Sequence, residues 1–495
     1  MRNYSAGAEM KIKAVLKVLS LICLVVSFAM LLPLCISLYD YSHDASAFAI
    51  SIFAGTFASV ILYWYSTTGN QNENFSIGIR EGVGVTGFSW ITASILGALP
   101  YWLSGSVPSY TDAFFETMSG FTTTGATIFA QIEILPRGIL LWRSVTHWIG
   151  GMGIIVLSLA VLPFLGVSGM EMYKAEVPGV TAEKITPRLH QTAMKLWGVY
   201  IFLTFFETFF LIVGGMNFFD AFCHSCSTIA TGGFSTKDNS IAYFTSPYIQ
   251  WVIIIFMFAS GVNFSLYFLL PQKKFRDFFQ DEEFRAYSFI VLTAVILMSV
   301  AIYFSGMFQT IEHTLRRTFF HVVSVITTTG FIVEDYDLWP EFTKFIFIIL
   351  MFIGASGGST GGGCKVSRFL ILGCQLKSEV QKLLHPRAVI TARMNGKPIS
   401  QSTFDSSAAF FVLYMLILTV ATAITTAFDI DLISAFTGVL TCLSNVGPGL
   451  NLLGAVENFS WLPSTIKWLF SFCMLAGRLE LFAIFLLMIP STYRK

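Results

Sequence analysis

The chain has 495 residues, of which 55% are hydrophobic and only 12% are charged, and its formal net charge is +1. A soluble globular protein carries about 25% charged residues, so this composition excludes a soluble multidomain enzyme, a fibrous repeat and an intrinsically disordered chain. A polytopic membrane protein remains. The near-zero net charge provides no basic field that would attract nucleic acid.

Ten apolar segments follow one another along the chain, and each is close to the ~20 residues that cross the hydrocarbon core of a bilayer. The first is too long for the apolar core of a signal peptide, which has roughly 7–15 residues, so we expect it to be retained. We predict an all-α membrane protein with ten spans. They cover about residues 14–39, 45–65, 82–103, 140–165, 193–215, 248–270, 287–306, 342–364, 408–428 and 464–490.

The polar connections between these segments alternate between basic and acidic. The basic set includes both chain ends and the long connection 365–407. It holds 22 of the 30 Lys and Arg residues when Lys17, near the start of the first span, is counted with the N-terminal end. The other set holds 7 Lys and Arg against 15 Asp and Glu. By the positive-inside rule the basic connections and both termini are cytoplasmic, and the outer face carries negative charge that attracts cations. We predict a multi-pass membrane protein with both termini on the cytoplasmic side.

Four of the acidic connections contain a fourteen-residue segment that repeats. An Ala-Phe or Thr-Phe pair follows its first residue and glycine is its last, with these glycines spaced by 108, 97 and 117 residues. The segments are Asp112–Gly125, Asp220–Gly233, Arg317–Gly330 and Ser434–Gly447.

Each segment lies between two spans, which defines a fourfold repeat of span, short helix, loop and span. The second span of each repeat carries a break of small residues: Gly150-Gly151, Ser260-Gly261, Gly357-Gly358 and Gly477. The predicted units are an N-terminal two-helix domain at 1–70 and repeats at 71–170, 171–275, 276–407 and 408–495.

Non-helical backbone at membrane depth is tolerated only where it is buried in protein or lines water. Four such loops around one axis would present carbonyl and hydroxyl oxygens to a central cation, which suits a monovalent ion better than Ca²⁺ or a transition metal. In repeat two, Gly232 and Gly233 compete for the final position, and the following Phe234 favours Gly233. The predicted filter residues are Thr122, Thr123, Thr124, Gly125, Ile229, Ala230, Thr231, Gly232, Gly233, Thr327, Thr328, Thr329, Gly330, Ser444, Asn445, Val446 and Gly447.

The residues in and around these loops resemble the Trk/Ktr/HKT superfamily of potassium transporters, and specifically its bacterial TrkH/TrkG uptake subunits. The resemblance implies K⁺ as the transported ion, one filter glycine per repeat and a homodimer in membrane lipid, in which each protomer has its own pore. It also implies a cytoplasmic nucleotide-binding ring of the TrkA type, for which 365–407 is the candidate docking surface, and no covalent cofactor. The matching motifs are FFETMSGFTTTGAT (114–127), WRSVTHWIGGMGI (142–154), HSCSTIATGGFST (224–236), TTTGF (327–331), GGSTGGGCKV (357–366), SNVGPG (444–449) and AGRLE (476–480).

A glycine-rich stretch interrupts the second span of repeat three. Six of the eleven residues from Gly354 to Cys364 are Gly and one is Ala, so a regular helix is disfavoured. It fails as a phosphate-binding loop because Cys364 separates the glycines from the lysine and no strand precedes it. A loop beneath a filter can plug a pore, and the resemblance implies an intramembrane gate here. The predicted gate residues are Gly357, Gly358, Ser359, Thr360, Gly361, Gly362, Gly363, Lys365 and Arg478.

Several ionisable residues leave alternatives open. Arg478 lies inside a predicted span, where it either meets the loop or bonds Glu480 or backbone structurally. Glu116 is expected to bond backbone near the filter or to be structural, and His147 to be structural. An intramembrane Glu207 leaves open coupling to H⁺. The alternative functions are an H⁺- or Na⁺-coupled cation symporter of the same superfamily and an unrelated solute symporter. No catalytic arrangement of side chains is recognisable, and we predict that the chain is not an enzyme.

Overall fold

The computed structural model describes residues 12–68, 79–153, 189–308, 310–388 and 390–479, together with residues 481 and 484. Much of the predicted basic connection 166–195, Glu480 and the basic C-terminal end lie outside the described residues. The described part is mostly helical, as the sequence predicts. Its long apolar helices are those of an integral membrane protein.

Three helices precede the first repeat. The first two are joined end to end and pack against the third, and the first also packs against the first helix of repeat one. Their bounds are Ile12–Ala29, Leu31–Tyr39 and Asp44–Thr67.

Within each sequence repeat the helices follow one order: a long outer helix, a pore helix and an inner helix. The outer helices are Ile79–Gly97 (continued by Leu99–Leu103), Leu189–Val213, Glu282–Phe304 and Gln401–Thr426. The pore helices are Tyr110–Phe121, Phe218–Ile229, Ile311–Ile326 and Leu432–Ser444. The inner helices are Arg137–Gly151, Pro247–Ser260, Glu341–Ile353 and Ser464–Arg478.

The remaining elements connect these helices. In repeat three the inner helix is followed by the glycine-rich loop, which we define as Gly354–Lys365, and then by the helix Val366–Leu384. A short antiparallel hairpin, Arg393–Met394 with Lys397–Pro398, lies within the predicted docking connection. A short helix spans Phe275–Gln280, and 3₁₀ turns span Ser240–Tyr243, Phe264–Leu269, Tyr336–Leu338 and Asn451–Leu453.

Among the described residues, six helices are long and apolar enough to cross a bilayer. They correspond to six of the ten predicted spans. The other four predicted spans contain the inner helices, whose 13–15 residues reach only about 20 Å at 1.5 Å per residue. Each inner helix ends at, or within a few residues of, the predicted small-residue break. Residues 154–165 of the fourth predicted span and most of 480–490 of the tenth lie outside the described residues, and the ten continuous spans are not confirmed.

Another backbone approaches two of these breaks closely. A Cβ on Gly150 would overlap the carbonyl oxygen of Phe121, and one on Gly477 would overlap that of Leu443. Glycine is therefore needed for packing of the inner helices against the ends of the pore helices.

Local sequence explains where the pore helices begin. Ser109, Asn217, Thr310 and Asp431 each accept a hydrogen bond from the backbone N–H three residues later. These are the residue types that favour an N-cap, because their oxygens satisfy a donor that the first helical turn leaves free.

Candidate functional site

Four glycines from the four repeats form a closed ring. A Cβ on Gly125 would overlap the carbonyl oxygen of Gly232, and one on Gly233 that of Thr329. A Cβ on Gly330 would likewise overlap the carbonyl oxygen of Val446, and one on Gly447 would lie 2.6 Å from that of Thr124. Each glycine thus packs against the next repeat, and the last packs against the first.

The ring also decides the register of repeat two. Gly233 has φ +83°, close to +82° at Gly125 and +77° at Gly330. Gly232 instead contributes its carbonyl, as Thr124 does in repeat one, and packs closely against the ring of His147. Gly233 is therefore the positional equivalent of the other ring glycines.

The four loops share one backbone conformation. Each pore helix is followed by a residue with positive φ, namely Thr123 at 55°, Thr231 at 55°, Thr328 at 60° and Asn445 at 57°. The next N–H in each loop reaches back to a carbonyl five residues earlier, as from Thr124 to Ser119 at 2.9 Å. This is the Schellman motif that ends many helices.

Threonine is an unusual choice for the left-handed position. A β-branched residue there costs about 1–2 kcal/mol relative to the right-handed conformation. Such strain is found where the surrounding structure enforces it, most often at functional sites.

Oxygen atoms in the ring remain free for a ligand. Across the described part of the chain, no residue donates a hydrogen bond to the carbonyls of Thr124, Gly232, Thr329 or Val446. The threonine hydroxyls of two loops are paired within the loop, Thr122 with Thr124 and Thr327 with Thr329, each at 2.8 Å. The ring can therefore offer neutral oxygens to a cation.

A cavity of about 100 Å³, which we call the vestibule, opens on the side of the ring formed by the residues after the glycines. All four ring glycines line it, together with Arg143, Lys237, Asp238 and Glu457. Within the described residues, no group of three or more His, Cys, Asp or Glu side chains is arranged to hold a metal ion.

The glycine-rich loop lies on the opposite side of the ring, against the residues before the glycines. The backbone N–H of Gly362 donates to the Thr328 hydroxyl at 2.6 Å, and the Thr360 hydroxyl donates to the carbonyl of Ile229 at 3.0 Å. A Cβ on Gly362 would overlap the carbonyl oxygen of Ser444. The glycine-rich loop therefore contacts residues predicted for the filter in three of the four repeats.

Arg478 connects this loop to the remaining repeat. Its guanidinium donates to the carbonyl of Thr360 at 2.8 Å and to those of Gly150 and Gly151 at 2.6 and 3.0 Å. Its partners thus include backbone carbonyls of the loop and of the inner helix of repeat one, while Glu480 lies outside the described residues. Lys365 is buried at the end of the loop and donates to the Gly361 carbonyl.

Some contacts of this site are not evident from the sequence. Glu283 accepts hydrogen bonds from the N–H groups of Gly357 and Ser367 at 2.6 and 3.1 Å, so it joins the first half of the loop to the first turn of the helix that follows the loop. Asn445 donates its amide to the Thr124 hydroxyl and to the Met474 carbonyl, each at 2.9 Å. No spacing pattern signals either contact, since the partners lie far apart in the chain.

Other residues singled out from the sequence lie near the ring. Glu116 accepts a hydrogen bond from the N–H of Ile128 at 2.9 Å, and also pairs with Arg143, a partner that the sequence did not indicate. His147 stacks on Phe234 with ring centroids 4.1 Å apart. Glu207 is fully buried, and neither carboxylate oxygen has a hydrogen-bond partner among the described residues.

Comparison with known proteins shows the family of the chain. The model of the TrkH family, described as cation transport protein, matches residues 46–493. The chain is 38% identical to the Trk system potassium uptake protein TrkH of Salmonella typhimurium, across 98% of this chain and 100% of the relative. It is 34% identical to the Trk system potassium uptake protein TrkG of Escherichia coli, across 93% and 94% of the two chains.

A solved structure gives the same result. The crystal structure of the potassium transporter TrkH from Vibrio parahaemolyticus superposes with a TM-score of 0.87 at 34% sequence identity, covering 98% of this chain and 100% of that one. The fold and the ring define an integral membrane protein of the cation-transporter class. The chain belongs to the TrkH family.

Proposed function

We propose that this chain is the pore subunit of a potassium uptake system and that K⁺ passes through the glycine ring. The observation that carries the proposal is the closure of the ring: each glycine lies against the carbonyl of the next repeat, and the fourth returns to the first. Four repeats thus surround one pore. Their free carbonyl oxygens replace part of the hydration shell of the ion. The relatives are named as potassium uptake proteins.

In this proposal the pore is closed from below by the glycine-rich loop. The loop fills the space beneath the filter, and Arg478 places a positive charge beside it. Displacing the loop opens the pore. The long basic connection 365–407 provides the docking surface for a nucleotide-binding ring of the TrkA type, and two chains form a homodimer with one pore each.

The proposed location is a bacterial inner membrane, with both termini in the cytoplasm. The alternation of basic and acidic connections supports this orientation. The vestibule then faces outward, and the glycine-rich loop faces the cytoplasm.

The test of the proposed function is transport itself. The intact chain is expressed in a bacterium that lacks its own potassium uptake systems, and is also reconstituted with its partner into vesicles. We expect growth at limiting K⁺ and uptake of ⁸⁶Rb⁺ that K⁺ blocks more strongly than Na⁺. Properly inserted protein that neither supports growth nor moves Rb⁺ would contradict the proposal.

A second candidate function is symport of K⁺ with H⁺, which one observation favours. Glu207 is a carboxylate buried in an outer helix, and neither oxygen has a described partner. Intramembrane carboxylates are costly and commonly take part in proton transfer. Uptake in vesicles with imposed pH gradients distinguishes the two functions. A coupled mechanism predicts uptake driven by the gradient that Glu207→Gln abolishes, whereas simple conduction predicts dependence on voltage and K⁺ alone.

A further inference from the structure

A buried ion pair lies directly beside the first and second filter loops. The Nε of Arg143, on the inner helix of repeat one, donates to Oε1 of Glu116 on the pore helix at 2.9 Å. The two side chains are at most 1% exposed. Two full charges are costly to remove from water, so a pair at this depth requires further partners.

Those partners belong to the non-helical segments that follow the ring glycines, which we call the outgoing strands although they are not part of a sheet. Glu116 accepts from the N–H of Ile128 and from the hydroxyl of Thr127, both in the strand after Gly125. Arg143 donates Nη1 to the carbonyl of Ser235 at 2.9 Å, and its guanidinium lies 4.1 Å from the centre of the Phe234 ring. The pair therefore ties the strand after one ring glycine to the strand after the next.

The same position on the other pore helices has a related but weaker role. His224 and His321 use an imidazole nitrogen to contact Ser235 Oγ at 2.9 Å and the Glu334 carbonyl at 3.1 Å, respectively. In repeat four the position is Gly438, and a side chain there would meet Leu453 and Phe470. A pore-helix residue thus supports the outgoing strand in three repeats, and only repeat one uses a carboxylate with a guanidinium.

The placement of Arg143 adds an electrostatic effect. Its side chain lines the vestibule together with Gly125 and Gly233. A cation that approaches the ring is repelled by the guanidinium unless the Glu116 carboxylate compensates for its charge.

We propose that Glu116 and Arg143 are positioning residues that hold the first two filter loops in register and keep the vestibule electrostatically neutral beside the ring. The pair thereby sets both the affinity and the selectivity of the filter for K⁺. This inference rests on the proposed function, since it assigns the pair a role in K⁺ passage.

Two single variants distinguish the electrostatic effect of the ion pair from its effect on the positions of the filter loops. Glu116→Gln keeps an oxygen for the N–H of Ile128 but leaves Arg143 uncompensated, so the KM for Rb⁺ uptake is expected to rise about tenfold, or about 1.4 kcal/mol, with the Rb⁺/Na⁺ preference retained. Arg143→Lys keeps the charge but loses the planar fork that reaches the Ser235 carbonyl. We expect it to lower the Rb⁺/Na⁺ preference severalfold with a smaller change in KM.

The matched control is Glu312→Gln, which removes a carboxylate paired with Arg316 at the start of the third pore helix, away from the vestibule. It is expected to leave both the KM and the ion preference unchanged. Uptake is measured per folded protein in vesicles containing the complete transport system, with the parent protein alongside. If the parent fails to transport, the proposed function is wrong, whereas a transporting parent with unchanged Glu116→Gln and Arg143→Lys variants overturns the positioning role alone.

A double variant covers the case in which the single variants do not fold. Replacing a buried ion pair by apolar residues of similar volume is often tolerated, because no charge is left alone. Glu116→Met with Arg143→Met is therefore expected to fold and conduct with a reduced Rb⁺/Na⁺ preference. A folded double variant with the parent's preference would overturn the proposal.

Discussion

The ring glycines show that the four loops can pack this closely only because each glycine has a hydrogen atom in place of a side chain. At Gly330 the backbone has φ +77°, and the position of a Cβ is already occupied by the Val446 carbonyl oxygen. The positive φ and the lack of room for a Cβ therefore both require glycine at this position. A side chain at this position would push the loops of repeats three and four apart. In the proposed function, this changes the distances between the oxygens that would bind K⁺.

Gly330→Ser is predicted to lower the K⁺ affinity and the Rb⁺/Na⁺ preference by about tenfold or more, a change of about 1.4 kcal/mol or more in ion binding. Competition of K⁺ and Na⁺ with ⁸⁶Rb⁺ uptake measures both. Gly306→Ser is the matched control, because Gly306 has φ +70° in the same repeat but no neighbouring atom where a Cβ would lie. Equal effects of the two substitutions would show that backbone strain, rather than the ring, accounts for the loss.

Arg478 is the second residue whose contacts define a prediction. Its charge lies next to the Thr360 carbonyl beneath the filter, and a K⁺ ion at roughly 6 Å would be repelled by about 3 kcal/mol at an effective dielectric constant of about 20. Hydration reduces this barrier, so Arg478→Ala is predicted to speed uptake about tenfold. Arg478→Lys is predicted to retain most of the barrier.

The readout is the flux per correctly folded protein for both variants. A purely structural arginine predicts the reverse for alanine, because the carbonyls of Thr360, Gly150 and Gly151 would lose the guanidinium. Among the described residues, only the Gly150 carbonyl would keep another donor, the N–H of Gly153. A stable Arg478→Ala protein with unchanged or slower flux would therefore exclude the electrostatic barrier.

Among the structural elements, the glycine-rich loop shows how an irregular segment can be held inside a helical protein. Glu283, at the start of the third outer helix, accepts from Gly357 and from Ser367 through the same carboxylate oxygen. The start of that helix also contacts the hairpin, since the Asn395 side chain accepts from the N–H of Glu282 and donates to Asp281. A protein that docks on the hairpin would therefore act on the helix terminus that holds the loop.

Glu283→Ala is predicted to release the loop and raise uptake severalfold in the absence of the proposed nucleotide-binding partner. Glu283→Gln is predicted to behave like the parent protein, because its amide oxygen can accept both hydrogen bonds. Glu282→Ala, at the exposed neighbouring position, serves as the control for changes at the helix start. Basal uptake in vesicles without the partner measures the effect, and equal uptake by the Ala and Gln variants would argue against the tether.

For the whole molecule, the proposed orientation places the vestibule outside and the docking connection inside. Glu457 is exposed and lines the vestibule, and Ser402 is exposed at the start of the fourth outer helix, on the predicted inner side. In whole cells, a thiol reagent that does not cross membranes is predicted to label Glu457→Cys but not Ser402→Cys. Permeabilised cells are predicted to allow labelling of both.

Labelling Glu457→Cys with a cationic reagent is further expected to slow Rb⁺ uptake more than a neutral reagent of similar size, because its charge would stand in the vestibule. The parent protein, with its eight natural cysteines, provides the background. Labelling of Ser402→Cys in intact cells would require the opposite orientation.

The amino-acid sequence by itself determined the class of protein, the four loops and the positions of their glycines. These features are local: hydropathy follows from composition along a segment, and the repeats are visible because the same loop conformation demands the same residues at Gly125, Gly233, Gly330 and Gly447. The family followed from the same motifs. Helix ends were partly readable as well, because N-caps such as Ser109 act within one turn.

Only the tertiary structure decided which residues meet. It shows that Gly233, and not Gly232, is equivalent to the other ring glycines, and that the inner helices end at or near their breaks. It also shows which residues Glu116 and Arg478 contact. Asn445 and Thr124 lie 321 residues apart in the chain yet share a hydrogen bond. Such contacts depend on how the repeats close around one another, and a hydrogen bond between distant segments leaves no periodic pattern in the chain. Spacing along the sequence therefore identifies the loops, and only their packing shows which carbonyls each glycine must accommodate.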